Sequence, residues 1–149
     1  MSILTDRLRE QLKERFAERL RGPVQLTLFT RPGSGRLILP SGLGCPTCED
    51  AKRMAEDLAA AAPERVQLQV VDVSGGGGEV TEVPTLTVGV PGERSRIRWQ
   101  GLPAGFEFAT VVDAIERVST GAHELSPDSL QRLAAVRDPV EIMVFATPG

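Results

Sequence analysis

The sequence predicts an α/β fold in which helices pack on a central mixed β-sheet. Two patterns support this: short segments rich in strand-forming residues, and longer segments in which apolar residues recur every three or four positions. They follow one another as a helix, then β-α-β, then β-β-α. The predicted elements are a helix in the first 20 residues, strand 24–30, a helix that starts at Cys45 and stops at Pro63, strand 66–73, strands 85–90 and 94–100, and a helix over 106–118.

The N-terminal helix is amphipathic. Ser2 and Thr5 are candidate caps, and Gly22 followed by Pro23 ends the helix. Its apolar positions are Ile3, Leu4, Leu8, Leu12, Phe16 and Leu20.

A second helical segment joins strands 24–30 and 66–73, so these strands are expected to be parallel. Two further segments lack a regular pattern. Segment 33–44 is either a loop or a short edge strand, and the glycine run 75–78 predicts a flexible turn. The apolar face of the joining helix contains Ala51, Met54, Ala55, Leu58, Ala59 and Ala62.

Length and composition suit one compact domain. The chain has 149 residues, of which 41% are hydrophobic and 25% charged, and its formal net charge is -3. This small charge gives no general field to gather nucleic acid or an anionic membrane, so we expect small-molecule or protein partners. The charged N-terminal residues do not resemble a signal peptide, and no uncharged apolar run reaches about 18 residues. We therefore expect a cytoplasmic protein.

The two cysteines, Cys45 and Cys48, are separated by two residues. A structural disulfide stabilises a protein chiefly by closing a long loop of the unfolded chain, and this pair closes almost none. In the cytoplasm, where ordinary thiols stay reduced, such a bridge is usually transient and catalytic. The spacing therefore predicts a redox pair rather than a structural bridge.

The position of the pair at a helix start predicts how it reacts. Side chains at i and i+3 share one helix face and lie within disulfide reach. The partial positive charge of the helix N-terminus lowers the pKa of the first cysteine and raises its thiolate fraction. We expect Cys45 to attack, Pro46 to occupy the first helical position, and the more shielded Cys48 to attack second.

A zinc site is the main alternative for two cysteines at this spacing. Structural zinc normally takes four protein ligands. The chain has no further cysteine and one histidine, His123, in a polar segment. A complete site would need carboxylates or ligands from partner chains. The residues favour redox chemistry with no bound metal, and His123 is expected to be exposed.

A second feature is Val83-Pro84-Thr85, where a proline stands at the start of a strand. Strands tolerate proline there, so one interpretation is purely structural. The other is a cis-proline that faces the cysteines and presents backbone groups to a bound peptide strand. The β-α-β and β-β-α order on either side favours the second interpretation.

These motifs resemble the glutaredoxin-like protein disulfide oxidoreductases of bacteria and archaea, which consist of two tandem thioredoxin-fold units. The resemblance covers most of the chain. It rests on the N-terminal helix, CPTC at 45–48, VPT at 83–85 and above all GLPAGFEF at 101–108. It implies a thioredoxin-like fold with a βαβ–ββα core, and a thiol–disulfide oxidoreductase that acts on disulfide-containing proteins.

The resemblance also implies roles for the site residues. Cys45 and Cys48 are the catalytic pair, and the substrate-binding residues are Pro46, Thr47, Val83 and Pro84. No cofactor beyond the cysteine pair is expected, and electrons come from an external thiol or an NADPH-dependent, thioredoxin-reductase-like donor. Two alternatives stay open. One is an electron-relay domain that feeds a peroxidase, as in the flavoprotein subunit of alkyl hydroperoxide reductase, and the other is a non-catalytic zinc-bridged or protein-binding module.

The C-terminal residues resemble the start of a second unit. A helix over about 126–136 precedes an apolar strand over 140–146, which in the family leads into a second CxxC motif. We therefore expect a redox unit over 1–122, and a linker helix with the first strand of a truncated second unit over 123–149. An unpaired apolar strand invites pairing with another chain, so a homodimer through this strand is one expected outcome.

Three features depart from related patterns. Segment 33–44 lengthens the connection to the CxxC motif, and 72–84 is too short for the helix that the family usually has there. Strand 24–30 lacks the carboxylate that thioredoxins carry beneath the cysteines.

Overall fold

The computed structural model describes residues 3–31, 44–75, 80 and 82–147 of the chain. The elements follow the predicted order of helix, β-α-β and β-β-α, with a further helix at the end. They are α1 Asp6–Arg19, β1 Val24–Thr30, α2 Cys48–Ala61, β2 Val66–Asp72, β3 Thr85–Gly89, β4 Ile97–Gln100, α3 Phe106–Thr120 and α4 Pro127–Ala134.

The four strands form one mixed sheet in the order β2-β1-β3-β4. β1 and β2 run parallel, with Val24 opposite Val66 and Thr30 opposite Asp72. β3 runs antiparallel to both of its neighbours, β1 and β4. The crossover through α2 permits the parallel pair, and the short connection after β3 permits the antiparallel one. The predicted central mixed sheet is confirmed.

Alternation along the strands directs one apolar face of the sheet toward the helices. In β1, Val24, Leu26 and Leu28 are fully buried, whereas Gln25 and Thr27 between them are partly exposed. Apolar residues of α1, α2 and α3 belong to the same core as this face. All three helices therefore pack on one side of the sheet. The helical residues of this core include Leu12, Phe16, Met54, Leu58, Val111 and Ile115.

The opposite face of the sheet is largely polar, and its apolar residues Phe29 and Val71 pair with each other near the ends of β1 and β2. Gln25 and Thr27 of β1 lie beside Gln67 and Gln69 of β2, and Thr27 also pairs with Thr87 of β3. The described residues of the connection between β2 and β3 contain no helix, as the shortness of that connection predicted. A second helical layer would need a continuous apolar face, and the polar residues of β1, β2 and β3 interrupt this one.

Two predicted segments fall largely outside the described residues. Of segment 33–44, predicted as a loop or edge strand, the structure describes Gly44 alone. Of the predicted turn 75–78, it describes Gly75 alone. Both predictions stay untested.

Charged side chains connect α1 to α3. Arg15 donates to Glu116 through Nε and to Asp113 through Nη2 at 3.0 Å, and Arg19 Nη1 lies 3.3 Å from Glu116. Burial by itself raises the pKa of the Glu116 carboxyl. The hydrogen bonds and positive charges of Arg15 and Arg19 outweigh burial, so the pKa lies below its usual value. The hydrogen bond to Glu116 in turn raises the pKa of Arg15.

We expect this cluster to make stability depend on pH in the acid range. Glu116 binds its proton less readily in the folded chain than in the unfolded one. Its contribution is therefore complete above the unfolded pKa of about 4.3 and is lost as the pH falls through the lower folded pKa. Urea unfolding at about pH 6 and about pH 3 should show a smaller loss of stability for Glu116→Gln than for the parent protein. Glu14→Gln, at an exposed position of α1, is the control. Equal losses in parent and Glu116→Gln would contradict the prediction.

The residues after α3 do not join the sheet. α4 forms within the predicted helix 126–136, and Ser126 Oγ caps it by accepting from the Ser129 N–H. Residues 140–146, predicted as a strand, form none, and Phe145 is 87% exposed. A strand needs a partner for its backbone groups and a surface for one face of its side chains, and the described residues provide neither here.

Among the described residues, no helix has both the length and the apolar character that a membrane span requires.

Candidate active site

Cys45 and Cys48 form a disulfide at the start of α2, with their Cα atoms 5.4 Å apart. They span a turn in which the Cys48 N–H donates to the Cys45 carbonyl oxygen at 3.4 Å. The first helical hydrogen bond follows, from the Ala51 N–H to the Thr47 carbonyl oxygen at 2.9 Å. α2 therefore begins at Cys48, not at Pro46 as predicted, because the first turn is closed between i and i+3. Cys45 lies three residues before the helix, on the turn that leads into it.

The two cysteines differ in exposure. Cys48 is 1% exposed, whereas Cys45 is partly exposed. Between them, Pro46 is exposed and Thr47 partly exposed. A partner molecule therefore reaches Cys45 more readily than Cys48. The sequence predicted this order of shielding, and the roles of the two residues in exchange stay predictions.

The topology brings Pro84 to the sheet edge that carries the disulfide. β1 ends at this edge, and α2 begins there before it runs back toward the start of β2. Phe29, near the end of β1, lies opposite Thr85, the first residue of β3. Pro84 precedes β3 at the same edge. The Val83–Pro84 peptide bond is cis, as predicted, and Pro84 is buried while Val83 is partly exposed.

Two hydrogen bonds hold the turn around Pro84. The Pro84 carbonyl oxygen accepts from the Gly101 N–H at 2.8 Å. The Thr85 hydroxyl donates to the Glu82 carbonyl oxygen at 2.7 Å. Thr85 is 0% exposed, so this bond satisfies a hydroxyl that has no access to water. This role of Thr85 in the turn was not predicted from the sequence. A hydroxyl residue at the start of a largely apolar strand is the signal that could have indicated it.

Acidic side chains follow the disulfide. Glu49 and Asp50 occupy the first turn of α2, where the partial positive charge of the helix terminus stabilises them. Glu49 forms an ion pair with Arg53 at 3.4 Å. Both carboxylates therefore place negative charge directly after the disulfide.

Comparison with solved structures identifies the fold. A protein disulfide oxidoreductase from Aeropyrum pernix is similar, with a TM-score of 0.71 and 25% sequence identity, covering 91% of this chain and 56% of that chain. A mutant of the alkylhydroperoxide reductase AhpF from Enterococcus faecalis has a TM-score of 0.72 and 16% identity, covering 91% of this chain and 62% of that one. An N-terminal domain of the same reductase has a TM-score of 0.66 and 18% identity, covering 87% of this chain and 58% of that one. No protein-family model and no curated protein sequence matches the chain.

The chain has a thioredoxin fold. The mixed sheet and the N-terminal helix agree with the expected architecture, and the predicted resemblance to protein disulfide oxidoreductases is borne out in the structure. The chain spans slightly more than half the length of the similar structures.

His123 lies far from the disulfide in this thioredoxin fold. α3 begins at the disulfide edge and has 15 residues, so it is about 22 Å long. His123 follows its far end, is exposed as predicted, and accepts from the Leu125 N–H through Nδ1 at 3.3 Å. In the described parts of the chain, no three His, Cys, Asp or Glu side chains are grouped as they would be around a metal ion.

We expect the disulfide to add little to the stability of the thioredoxin fold. The cysteines are three positions apart, so the bridge closes a minimal loop of the unfolded chain. Melting temperatures of the oxidised and the dithiothreitol-reduced protein should differ by less than about 5 °C, or favour the dithiol. A variant with both cysteines replaced by serine controls for direct effects of the reductant. A loss of more than about 10 °C on reduction would show that the bridge is structural.

Proposed function

We propose that this chain is a thiol–disulfide oxidoreductase unit that reduces, oxidises or isomerises protein disulfides through its CPTC dithiol. One observation carries the proposal. A disulfide with one accessible and one buried cysteine lies at the start of α2, at the sheet edge where Pro84 enters β3. The similar Aeropyrum pernix protein is a protein disulfide oxidoreductase, which supports the same chemistry here.

The reductive direction proceeds in two exchange steps. The Cys45 thiolate attacks one sulfur of the partner's disulfide, a Cys45–partner bond forms, and the other partner sulfur leaves as a thiolate that takes up a proton. Cys48, deprotonated, then attacks the Cys45 sulfur and releases the second partner thiol. Two electrons pass from the dithiol to the partner, and the Cys45–Cys48 disulfide remains. The oxidative direction reverses these steps.

The residues around the sulfurs hold the partner for this chemistry. Pro46 and Thr47 present an accessible surface between the cysteines. We propose that Val83, which is partly exposed beside the buried Pro84, offers its backbone to an extended peptide segment of the partner. Hydrogen bonding along such a segment brings the partner's disulfide toward Cys45 without requiring a particular sequence.

Turnover needs a source of electrons outside the chain. We propose an external thiol or an NADPH-dependent, thioredoxin-reductase-like protein in this role, with no cofactor held by the unit itself. A reducing compartment supplies both, so the proposal places the chain in the cytoplasm.

Insulin reduction by dithiothreitol tests the proposal. The protein should accelerate the precipitation of the insulin B chain, and equilibration with glutathione buffers should give the reduction potential that sets the preferred direction. Metal analysis of the reduced protein separates the zinc alternative. If the reduced protein bound stoichiometric zinc and did not accelerate insulin reduction, the chain would be a metal-bridged module and not an oxidoreductase.

An electron-relay domain that delivers electrons to a peroxidase is the second candidate. The observation that favours it is the shared fold with the Enterococcus faecalis reductase. Trapping with Cys48→Ser separates the two candidates, because the captured partner is a peroxidase for a relay and a range of disulfide proteins for a general oxidoreductase.

We propose that residues 1–122 form the redox unit and that 123–149 belong to a linker and the start of a second unit. In the part of the chain that the structure describes, all residues of the apolar core precede Gly121. Two ion pairs join the two parts through exposed side chains, Arg98 with Glu141 at 2.9 Å and Arg117 with Glu124 at 3.8 Å, and such pairs contribute little.

Shortening the chain after Gly121 should therefore leave insulin reduction within about twofold of the parent rate. Sedimentation of both forms tests whether 140–146 also mediates a homodimer. If the shortened chain kept its circular dichroism spectrum but lost activity, the active site would extend into the C-terminal residues.

A further inference from the structure

An exposed aromatic ring begins α3. Phe106 is 91% exposed, although other apolar residues of the helix, including Val111, Val112 and Ile115, are buried. Phe108 packs against the same core, so the helix does not need Phe106 to attach to the sheet. Isolated apolar residues are common on protein surfaces, and their location decides whether they serve a function.

Phe106 lies at the edge of the sheet that carries the disulfide. Gln100, the last residue of β4, is opposite the first residue of β3. The following residue, Gly101, donates its N–H to the Pro84 carbonyl oxygen at 2.8 Å. A short turn then leads into α3. The start of α3, with Phe106, therefore lies at the same end of the sheet as the disulfide.

The turn that presents the ring is held in one conformation. Pro103 is fully buried, and the Ala104 N–H donates to the Leu102 carbonyl oxygen at 2.9 Å. Gly105 has a φ of 61°, which glycine adopts without the steric cost that a Cβ imposes. Because the backbone that carries the ring is already ordered, covering the ring adds little backbone ordering cost to the binding of a partner.

Carboxylates lie on the segments that meet at this end of the sheet. Glu107 is next to Phe106, Glu82 lies two residues before Pro84, and Asp50 is in the first turn of α2. All three side chains are exposed or partly exposed.

The cations of the described residues on the neighbouring segments each have a carboxylate close by. Lys52 lies 4.0 Å from Glu56, and Arg53 lies 3.4 Å from Glu49. The hydrogen bonds of Asp72 with Ser74 lower the pKa of that carboxyl, and the charge of Arg31 adds to the effect. The described part of this surface therefore has a net negative charge.

We propose that Phe106, with Glu82 and Glu107, forms a docking patch that selects protein segments with an apolar and a basic side chain beside the reacting cysteine. The apolar side chain covers the ring, and the basic one meets the carboxylates. Anionic segments are disfavoured by the same charges. This proposal rests on the proposed oxidoreductase function, and it specifies the class of protein substrate that the redox unit accepts.

Three short peptides test the patch, each activated at cysteine as a mixed disulfide with 2-thiopyridine: acetyl-Leu-Cys-Lys-amide, acetyl-Ser-Cys-Lys-amide and acetyl-Leu-Cys-Glu-amide. The reduced protein attacks the peptide sulfur, and thiopyridone leaves with a measurable absorbance. Cys48 then releases the peptide thiol, so two electrons and two protons pass from the dithiol to the mixed disulfide. Each rate constant is divided by that of dithiothreitol with the same peptide, which removes differences in intrinsic reactivity.

The parent protein should prefer Leu over Ser by about tenfold, and Lys over Glu by about threefold at low ionic strength. Phe106→Ser should bring the Leu-to-Ser ratio close to one. Glu107→Lys should invert or abolish the preference for Lys over Glu, and high salt should weaken that preference in the parent. Phe145→Ser removes an aromatic ring of similar exposure in the C-terminal segment and should keep both ratios.

Three results would count against the patch. Equal Leu-to-Ser ratios in the parent and Phe106→Ser would overturn it while leaving the proposed function intact, and so would a parent that exchanges rapidly with all three peptides and shows no preference. A parent that reacts no faster than dithiothreitol with any peptide would overturn the proposed function and the patch together. Circular dichroism of each variant checks that the fold is unchanged.

Discussion

Replacing Cys45 by serine should abolish catalysed insulin reduction and leave only the rate of dithiothreitol itself. Cys45 is the accessible member of the pair, whereas Cys48 is 1% exposed. The chain contains no other cysteine that can take over the attack. A serine hydroxyl without an activating base does not attack a disulfide as a cysteine thiolate does. The loss should therefore be complete rather than partial.

Cys48→Ser should behave differently. Cys45 still attacks the partner, but no second thiol resolves the product, so a covalent Cys45–partner disulfide accumulates. Mass spectrometry detects this adduct, and dithiothreitol releases it. Iodoacetamide should also alkylate Cys45 before Cys48 in the reduced parent protein. Adducts that form on Cys48 in the Cys45→Ser variant, with none in Cys48→Ser, would reverse the two roles.

Phe16→Ala should cost about 3–5 kcal/mol of unfolding free energy. The Phe16 ring is 1% exposed in the middle of the core, where α1 packs against the other helices. Removing it deletes a large apolar surface and leaves a cavity that rigid neighbours fill only in part. Urea unfolding of the reduced protein measures the change.

Phe145→Ala is the matched control, because that ring is 87% exposed and its loss should change stability by less than about 0.5 kcal/mol. If Phe16→Ala is already unfolded without urea, Phe16→Leu replaces it. That variant should lose about 1 kcal/mol of unfolding free energy, still more than Phe145→Ala loses. Similar costs at positions 16 and 145 would mean that α1 is not anchored in the core as the structure shows.

The helices and strands were predictable where a repeating pattern runs along the chain. The spacing of Leu12 and Phe16 marked the buried face of α1, and the alternation through Val24, Leu26 and Leu28 marked that of β1. Such patterns are local, because each element must turn one apolar face toward the core.

Contacts between distant residues were not predictable in this way. Gly22 was expected only to end a helix, yet its N–H donates to the Ser119 carbonyl oxygen at 2.9 Å. A Cβ on Gly22 would lie 2.8 Å from that oxygen, so the approach requires glycine. The Ser119 hydroxyl completes the link by accepting from the Arg21 N–H at 2.8 Å and donating to the Gly22 carbonyl oxygen at 2.7 Å.

Residues 140–146 show that a local pattern can also predict an element that does not form. Their apolar, strand-forming residues predicted a strand, and the described structure contains none there. Strand formation depends on an edge that supplies hydrogen bonds and on a surface that covers one face, and neither requirement is written in the segment itself.

The sequence by itself determined the redox pair and the order of the elements, because the spacing of Cys45 and Cys48 and the apolar periods are local properties of the chain. Only the tertiary structure decided what surrounds that pair. The sheet brings Pro84 and Thr85, far along the chain, to the edge where α2 begins, and α3 with Phe106 starts at the same edge. Strand register and helix packing set these distances, and both arise from contacts between residues that the sequence holds far apart.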